Sequence, residues 1–116
     1  MAKKPKYVKI EVFIPVEYVE KLRDQLNEVG VGRIGNYDHC VSVSVVEGYW
    51  RPLAGANPYA GKIGEISKGE ERKVEVSCRE ERVEEALAAI RAIHPYDKPL
   101  INIVKLLNHK YEGLEL

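Results

Sequence analysis

The feature that most constrains this chain is that it repeats itself. Residues 8–26, VKIEVFIPVEYVEKLRDQL, lie over residues 72–90, RKVEVSCREERVEEALAAI, at a constant offset of 64. Lys9/Lys73, Glu11/Glu75, Val12/Val76, Glu17/Glu81, Val19/Val83 and Glu20/Glu84 are identical. The hydrophobic period changes at the same place in both copies. Val8, Ile10, Val12 and Ile14 alternate with polar or outward positions, the period of a strand, as do Val74, Val76 and Cys78. Beyond Pro15 the apolar positions become Val16, Val19, Leu22, Leu26 and Val29, a helical stripe that Gly30 ends. Val83, Ala86, Leu87, Ile90 and Ile93 form the matching stripe, which Pro95 stops.

A helix with one apolar face must lie on a sheet, so each strand–helix unit needs a return strand. Cys40–Val46 supplies the first through Val41, Val43 and Val45, and Leu100–Leu107 the second through Ile101 and Ile103. The order β-α-β-β-α-β is the ferredoxin-like arrangement of the α+β class. Right-handed crossovers place the first and third strands at the centre of a four-stranded antiparallel sheet, with both helices on one face. The expected organisation is an N-terminal tail at 1–6, one domain at 7–107 with a Gly-rich arm at 47–69 between the second and third strands, and a C-terminal tail at 108–116. A length of 116 residues suits one such domain.

Composition narrows the function classes. The 18 basic and 18 acidic side chains give a formal charge of zero, which removes the general attraction to a polyanion or an anionic membrane. The third strand, RKVEVSC, lacks the aromatics on which an RRM stacks bases, so nucleic acid is not an expected partner. No apolar run approaches a membrane span, and no signal-peptide core follows the basic start, so a cytoplasmic location is expected. Cys40 and Cys78 form no CxxC pair, which argues against a zinc ribbon or a disulfide framework. GxxxxGK[ST] is missing, and Gly32-Arg33-Ile34-Gly35 lacks the strand-to-helix setting of a dinucleotide fingerprint. Catalysis has little support either, because no Cys–His signature is present and the Glu80-Glu81 and Glu84-Glu85 pairs fall on a solvated helix face.

The arm, EGYWRPLAGANPYAGKIGEISKG, holds five of the nine glycines together with Tyr49, Trp50 and Tyr59. It is too long for a hairpin turn and too aromatic for a solvated linker. Two uses are open: an extended hairpin that buries Trp50 and Tyr59 against a neighbouring subunit, and a small-molecule site along the arm.

The run Gly32-Arg33-Ile34-Gly35-Asn36-Tyr37-Asp38-His39-Cys40, then Trp50-Arg51-Pro52, Gly55-Ala56-Asn57-Pro58-Tyr59-Ala60-Gly61 and Ala92-Ile93-His94-Pro95-Tyr96-Asp97-Lys98-Pro99, resembles one module. It is similar, from about Tyr7 to Leu107, to the insert domain of the Nif-three-like (NGG-one-interacting-factor-like, YqfO-like) dimetal proteins and to short proteins made of that insert alone. The resemblance implies a fold related to the PII signalling and CutA ion-tolerance proteins, typically trimeric. It also implies a regulatory or gating role beside a dimetal body. With the core and the arm accounted for, 116 residues leave no sequence for that body, so its chemistry is not expected here.

The residues expected to bind a ligand or form an interface are Tyr37, Asp38, His39, Trp50, Arg51, Asn57, Tyr59, His94 and Tyr96. The metal candidates are His39, Cys40 and His94, for a divalent transition metal held through imidazole and thiolate. Against a shared ion, neighbours on a strand point to opposite faces, and His39 and His94 are expected about a strand length apart, ~17–20 Å. The competing structural readings make Gly35 and Asn36 a turn, Asp38 an acceptor of backbone N–H groups, Cys40 a small buried apolar group and His94 a cation at a helix C-terminus. Arg51 suits a carboxylate or phosphate, with Trp50 as a flat neighbour, or an intersubunit pair with a glutamate. His109 is expected in solvent. The reading that follows is a non-catalytic, self-associating module, a homotrimer, that responds to a ligand or binds a protein partner of the dimetal family. The alternatives are a CutA-like transition-metal-binding protein and an accessory subunit of a dimetal hydrolase-like enzyme.

Overall fold

The computed structural model describes residues 5–116, so residues 1–4 of the expected N-terminal tail lie outside the described residues. Strand β1 (Tyr7–Ile14) leads through a 3₁₀ turn into helix α1 (Val19–Glu28); β2 (Ser42–Trp50) and β3 (Ser67–Arg79) form a hairpin; a second 3₁₀ turn leads into α2 (Val83–Ile93), and β4 (Ile101–Leu106) closes the sheet. The strand order is β2-β3-β1-β4, and all pairs are antiparallel, so the two repeated strands are central.

Each alternating run buries one face. Val8, Ile10, Val12 and Ile14 from β1 and Val74, Val76 and Cys78 from β3 meet Leu22, Leu26, Ala86 and Ile90 from the helices. Both helices open in the same way, although only one copy has a proline at the joint. Pro15 (φ −61°, ψ 149°) and Arg79 (φ −68°, ψ 140°) each hold an extended residue before a 3₁₀ turn. Gly30 ends α1 at φ +76°, where its N–H donates to the Asn27 carbonyl at 3.0 Å and the Val31 N–H to the Leu26 carbonyl at 2.9 Å. These bonds satisfy carbonyls that a helix end would otherwise orphan.

The register shows how the two copies are related. Glu11, the repeat equivalent of Glu75, is also its direct partner across β1 and β3. An internal two-fold axis therefore passes between these two residues. Like charges directly opposed on a sheet repel. Lys9 offsets this by reaching both carboxylates, Glu11 at 3.3 Å and Glu75 at 3.1 Å, while Lys73 lies 3.5 Å from Glu75.

Three expectations are corrected. Strand β2 opens at Ser42 rather than Cys40 and continues through Trp50, while β3 starts at Ser67. The two ends of the arm are thus paired ribbon, from Gly48↔Gly69 to Trp50↔Ser67, and the irregular part that remains is 51–66. Ladder hydrogen bonds satisfy the backbone there whatever the side chains are. Secondly, Val43 and Val45 alternate as expected, but on this edge strand they stay 45% and 61% exposed, and of the three valines only Val41 packs against the core. Finally, His109 is not solvated: it lies half-buried in a 3₁₀ turn (Asn108–Lys110), with Nδ1 enclosed and unpaired among the described residues.

Candidate functional site

The arm bends back onto its own protomer, and glycine makes the bend. Gly61 has φ +95°, and a Cβ on it would stand 2.5 Å from Ser67 Oγ and 3.0 Å from Trp50 Nε1. A Cβ on Gly69 would stand 3.0 Å from Trp50 Cη2. The indole therefore lies across two glycines, and its Nε1–H donates to the Ala60 carbonyl at 3.0 Å. Further in, the Gly64 N–H donates to the Pro52 carbonyl at 2.8 Å.

This bracing delivers the arm to the loop between α2 and β4. The Asn57 N–H donates to Asp97 Oδ2 at 2.9 Å, and the Tyr59 ring packs on Tyr96 with centroids 5.6 Å apart. The Tyr96 hydroxyl donates to Glu71 Oε2 on β3 at 2.9 Å, and its ring lies 4.7 Å from that of His94. His94 Nε2–H donates to the Phe13 carbonyl at 2.7 Å, and its Nδ1 accepts the Tyr96 N–H at 3.2 Å. Both ring nitrogens are engaged in a way that fits one neutral tautomer. Burial holds the His94 pKa below its ordinary value, despite the Phe13 carbonyl and the Glu71 charge. The helix-end-cation reading of His94 gives way accordingly, because its environment favours the neutral ring. Burial and the Glu71 carboxylate both push the Tyr96 phenol upward, so it stays protonated.

Beside this cluster lies a cavity of about 570 Å³ between α2 and β4. Leu87 and Ile103 line its apolar side, and Arg91, His94, Tyr96, Asp97 and Lys98 its polar side, two cations against one carboxylate. That combination suits a small ligand with an anionic group.

The second group of expected residues sits elsewhere. Gly35 (φ +56°) and Asn36 make the turn between Ile34 and Tyr37, as expected, and Tyr37, which closes it, stands 74% exposed. His39 has φ +57° and precedes β2, so it and Cys40 are not strand neighbours on opposite faces. His39 N–H donates to Asn27 Oδ1 at 3.2 Å. Its ring meets Asp38 Oδ1 at 2.9 Å and Asp24 Oδ1 at 3.6 Å, and Arg23 shares the same Asp24 oxygen at 2.9 Å. The His39 bond holds the Asp38 carboxyl below its ordinary pKa, and Asp38, expected as an acceptor of backbone N–H groups, pairs first with this ring. Cys40 is half-buried, with Sγ 3.5 Å from the Asp38 carbonyl. Among the described residues no three His, Cys, Asp or Glu side chains converge as a metal-ion set.

The structure thus brings Asn57, Tyr59, His94 and Tyr96 together, with Trp50 as a brace, and groups Asp38, His39 and Cys40 separately. Arg51 is exposed just beyond β2 and makes no ion pair among the described residues. Glu71 and Asp97 were not singled out from the sequence. Asp97 stood inside the quoted His-Pro-Tyr-Asp-Lys-Pro run, whereas Glu71 is one of many charged residues with no local signal.

No protein-family model matches the chain. It is 35% identical over 108 residues to a GTP cyclohydrolase 1 type 2 homolog of Staphylococcus epidermidis, a match covering 93% of this chain and 30% of that protein. Among solved structures, a Bacillus cereus protein related to NIF3 superposes with a TM-score of 0.81 at 28% identity, over 92% of this chain and 27% of that one. The CutA periplasmic divalent cation tolerance protein of Archaeoglobus fulgidus superposes with a TM-score of 0.67 at 20% identity, over 87% of this chain and 84% of that one. The chain therefore has a CutA-like ferredoxin fold and homologues among NIF3-related proteins, and spans under a third of the length of the curated relatives it matches. Among the described residues no helix is long and apolar enough to cross a membrane.

Proposed function

We propose that this chain is an insert-type module of the Nif-three-like proteins, working as a non-catalytic, cytoplasmic, self-associating element whose arm responds to a ligand. The observation that carries the reading is the clasp of the arm onto the α2–β4 loop beside the cavity. His94, Tyr96 and Asp97 border the cavity, and Tyr96 and Asp97 also hold Tyr59 and Asn57. A ligand that displaces Tyr96 or Asp97 releases the tip of the arm, so binding is read out as a change of arm position. The 570 Å³ volume and the Arg91 and Lys98 cations suit a small organic anion.

Self-association, with a homotrimer as the assembly, is supported by the apolar side chains left open at the sheet edges: Val43 and Val45 on β2, Ile103 and Val104 on β4. Multi-angle light scattering at micromolar concentration tests it, and a monomeric mass counts against it. Copurification with a separately encoded dimetal-family protein tests the protein-partner arm of the proposal; recovery of the chain alone counts against that partner.

A second reading, a transition-metal protein, is favoured by one observation: His39 stands between the Asp38 and Asp24 carboxylates with Cys40 adjacent. Zinc titration calorimetry on the wild type, His39→Ala and His94→Ala separates the two. Stoichiometric binding lost in His39→Ala supports a metal site, and heat indistinguishable from dilution rejects it.

A further inference from the structure

A second cavity, of about 300 Å³, lies at the far end of the sheet from the arm clasp and shares only the Gly35 turn with the residue groups described above. It is bordered by Gly30, Gly32 and Arg33 after α1, by Arg79 at the end of β3 and by Glu81 and Arg82 in the turn before α2. Its character is set by charge and by bare backbone. Three arginines and one glutamate line it, with Leu116 beside them, in a protein whose net charge is zero.

The arginines are only loosely engaged. Arg79 lies 3.6 Å from Glu81, Arg82 lies 3.4 Å from Glu85, and Arg33 Nε donates to the Gly35 carbonyl at 3.3 Å. Charge-assisted pairs that are fully formed close to about 2.7–2.9 Å. Most of the fifteen or so guanidinium N–H donors, about five per arginine, therefore remain for another acceptor. Gly30 leaves one approach open, whereas a Cβ on Gly32 would point at the Cys40 backbone and Val76 instead. Gly30 and Gly32 adopt φ +76° and +96°, and a Cβ on Gly30 would project toward the Arg82 guanidinium, 3.7 Å from Cζ. The Gly30 backbone thus approaches the Arg82 head with no side chain between them.

We infer that this cavity binds the phosphoryl group of a small phosphate monoester, held by Arg33, Arg79 and Arg82. A tetrahedral dianion matches both features, because its oxygens accept from several guanidinium forks at once while its double charge outweighs Glu81. The cavity accommodates the phosphate and a few carbon atoms and is too small for a nucleotide to be enclosed.

The probes are phenyl phosphate, inorganic phosphate, acetate and a short single-stranded oligonucleotide, titrated at fixed ionic strength into the full chain. Binding is followed by the amide resonances of Gly30, Gly32 and Gly35 and by calorimetry. Saturable shifts of these amides with phenyl phosphate, weaker ones with inorganic phosphate and none with acetate are expected. Arg82→Gln should weaken phenyl phosphate about tenfold or more, by loss of charged hydrogen bonds. Glu81→Gln should tighten it several-fold, by removing the competing carboxylate. The second variant keeps the test decisive if the first disturbs the turn. Equal shifts with acetate, affinity unchanged in both variants, or tighter binding of the oligonucleotide than of phenyl phosphate would each overturn the assignment.

Discussion

Replacing Gly69 by alanine tests how the arm is held, because the expected damage is local and the reporter is unique. A Cβ at this position would stand 3.0 Å from Cη2 and 3.3 Å from Cζ3 of Trp50. Carbon atoms settle about 3.5–4.0 Å apart, so the indole must withdraw by about 0.5–1 Å. Its Nε1–H now donates to the Ala60 carbonyl at 3.0 Å, and the same displacement takes that distance to the edge of hydrogen bonding or past it. The lost bond costs about 0.5–1.5 kcal/mol. Restricting the unfolded chain returns about 0.4–1 kcal/mol where alanine can adopt the glycine conformation, as in this strand. The two nearly cancel, so the urea midpoint should stay close to that of the wild type, equivalent to a change within about 1 kcal/mol. The arm should nevertheless loosen. Trp50 is the only tryptophan, so a red-shifted emission and stronger acrylamide quenching report it directly. Faster exchange of the Asn57 amide reports the far end of the same brace, where that amide meets Asp97. Wild-type emission, quenching and Asn57 exchange together would refute the reasoning.

Three further outcomes follow from the same geometry. Ile90→Ala, at a fully buried position under the sheet, should destabilise by about 2–5 kcal/mol in denaturant unfolding. His94 has a folded pKa below the ordinary 6.5, so the unfolded chain binds its proton first as pH falls. The stability tied to the neutral ring is present above about pH 6.5 and is lost on acidification from there to the folded pKa. Urea midpoints between pH 7.5 and 5 should show this slope, and His94→Gln should lack that part of it. Lys9→Met should raise the Glu75 pKa in an NMR titration, since the Lys9 bond is the first cause that holds it down.

The fold was legible because the change of period, from alternation at Val8–Ile14 to a stripe at Val16–Val29, is a local pattern and occurs twice. Strand ends were not. Trp50 and Ser67 pair because a hairpin continues its ladder as far as geometry allows, and nothing in Gly48-Tyr49-Trp50 alone says where that stops. The site was legible residue by residue but not as a whole. Asn57, Tyr59, His94 and Tyr96 each stood out, yet their meeting depends on a bend that Gly61 and Trp50 make together. Glu71 could not be found in this way, because its role follows from the register of β3 and not from its neighbours in sequence. His39 misled in a different manner, since the valine alternation that begins at Val41 gives no warning of a positive φ just before it.

The coincidence of Glu11 with Glu75, as repeat equivalents and as partners across the sheet, has a further meaning for where ligands can sit. The axis between them carries residues 30–35, which follow α1, onto residues 94–99, which follow α2. One stretch borders the arginine cavity and the other borders the cavity at the arm. The molecule therefore presents the same architectural corner twice, at opposite ends of its two central strands. One copy is furnished with glycines and guanidinium groups, and the other with imidazole, phenol and a lysine. The arm reaches only the second. On the two proposals made above, a duplicated scaffold of this kind would carry two unlike ligands at once without either obstructing the other, and only one of them would be placed to move the arm.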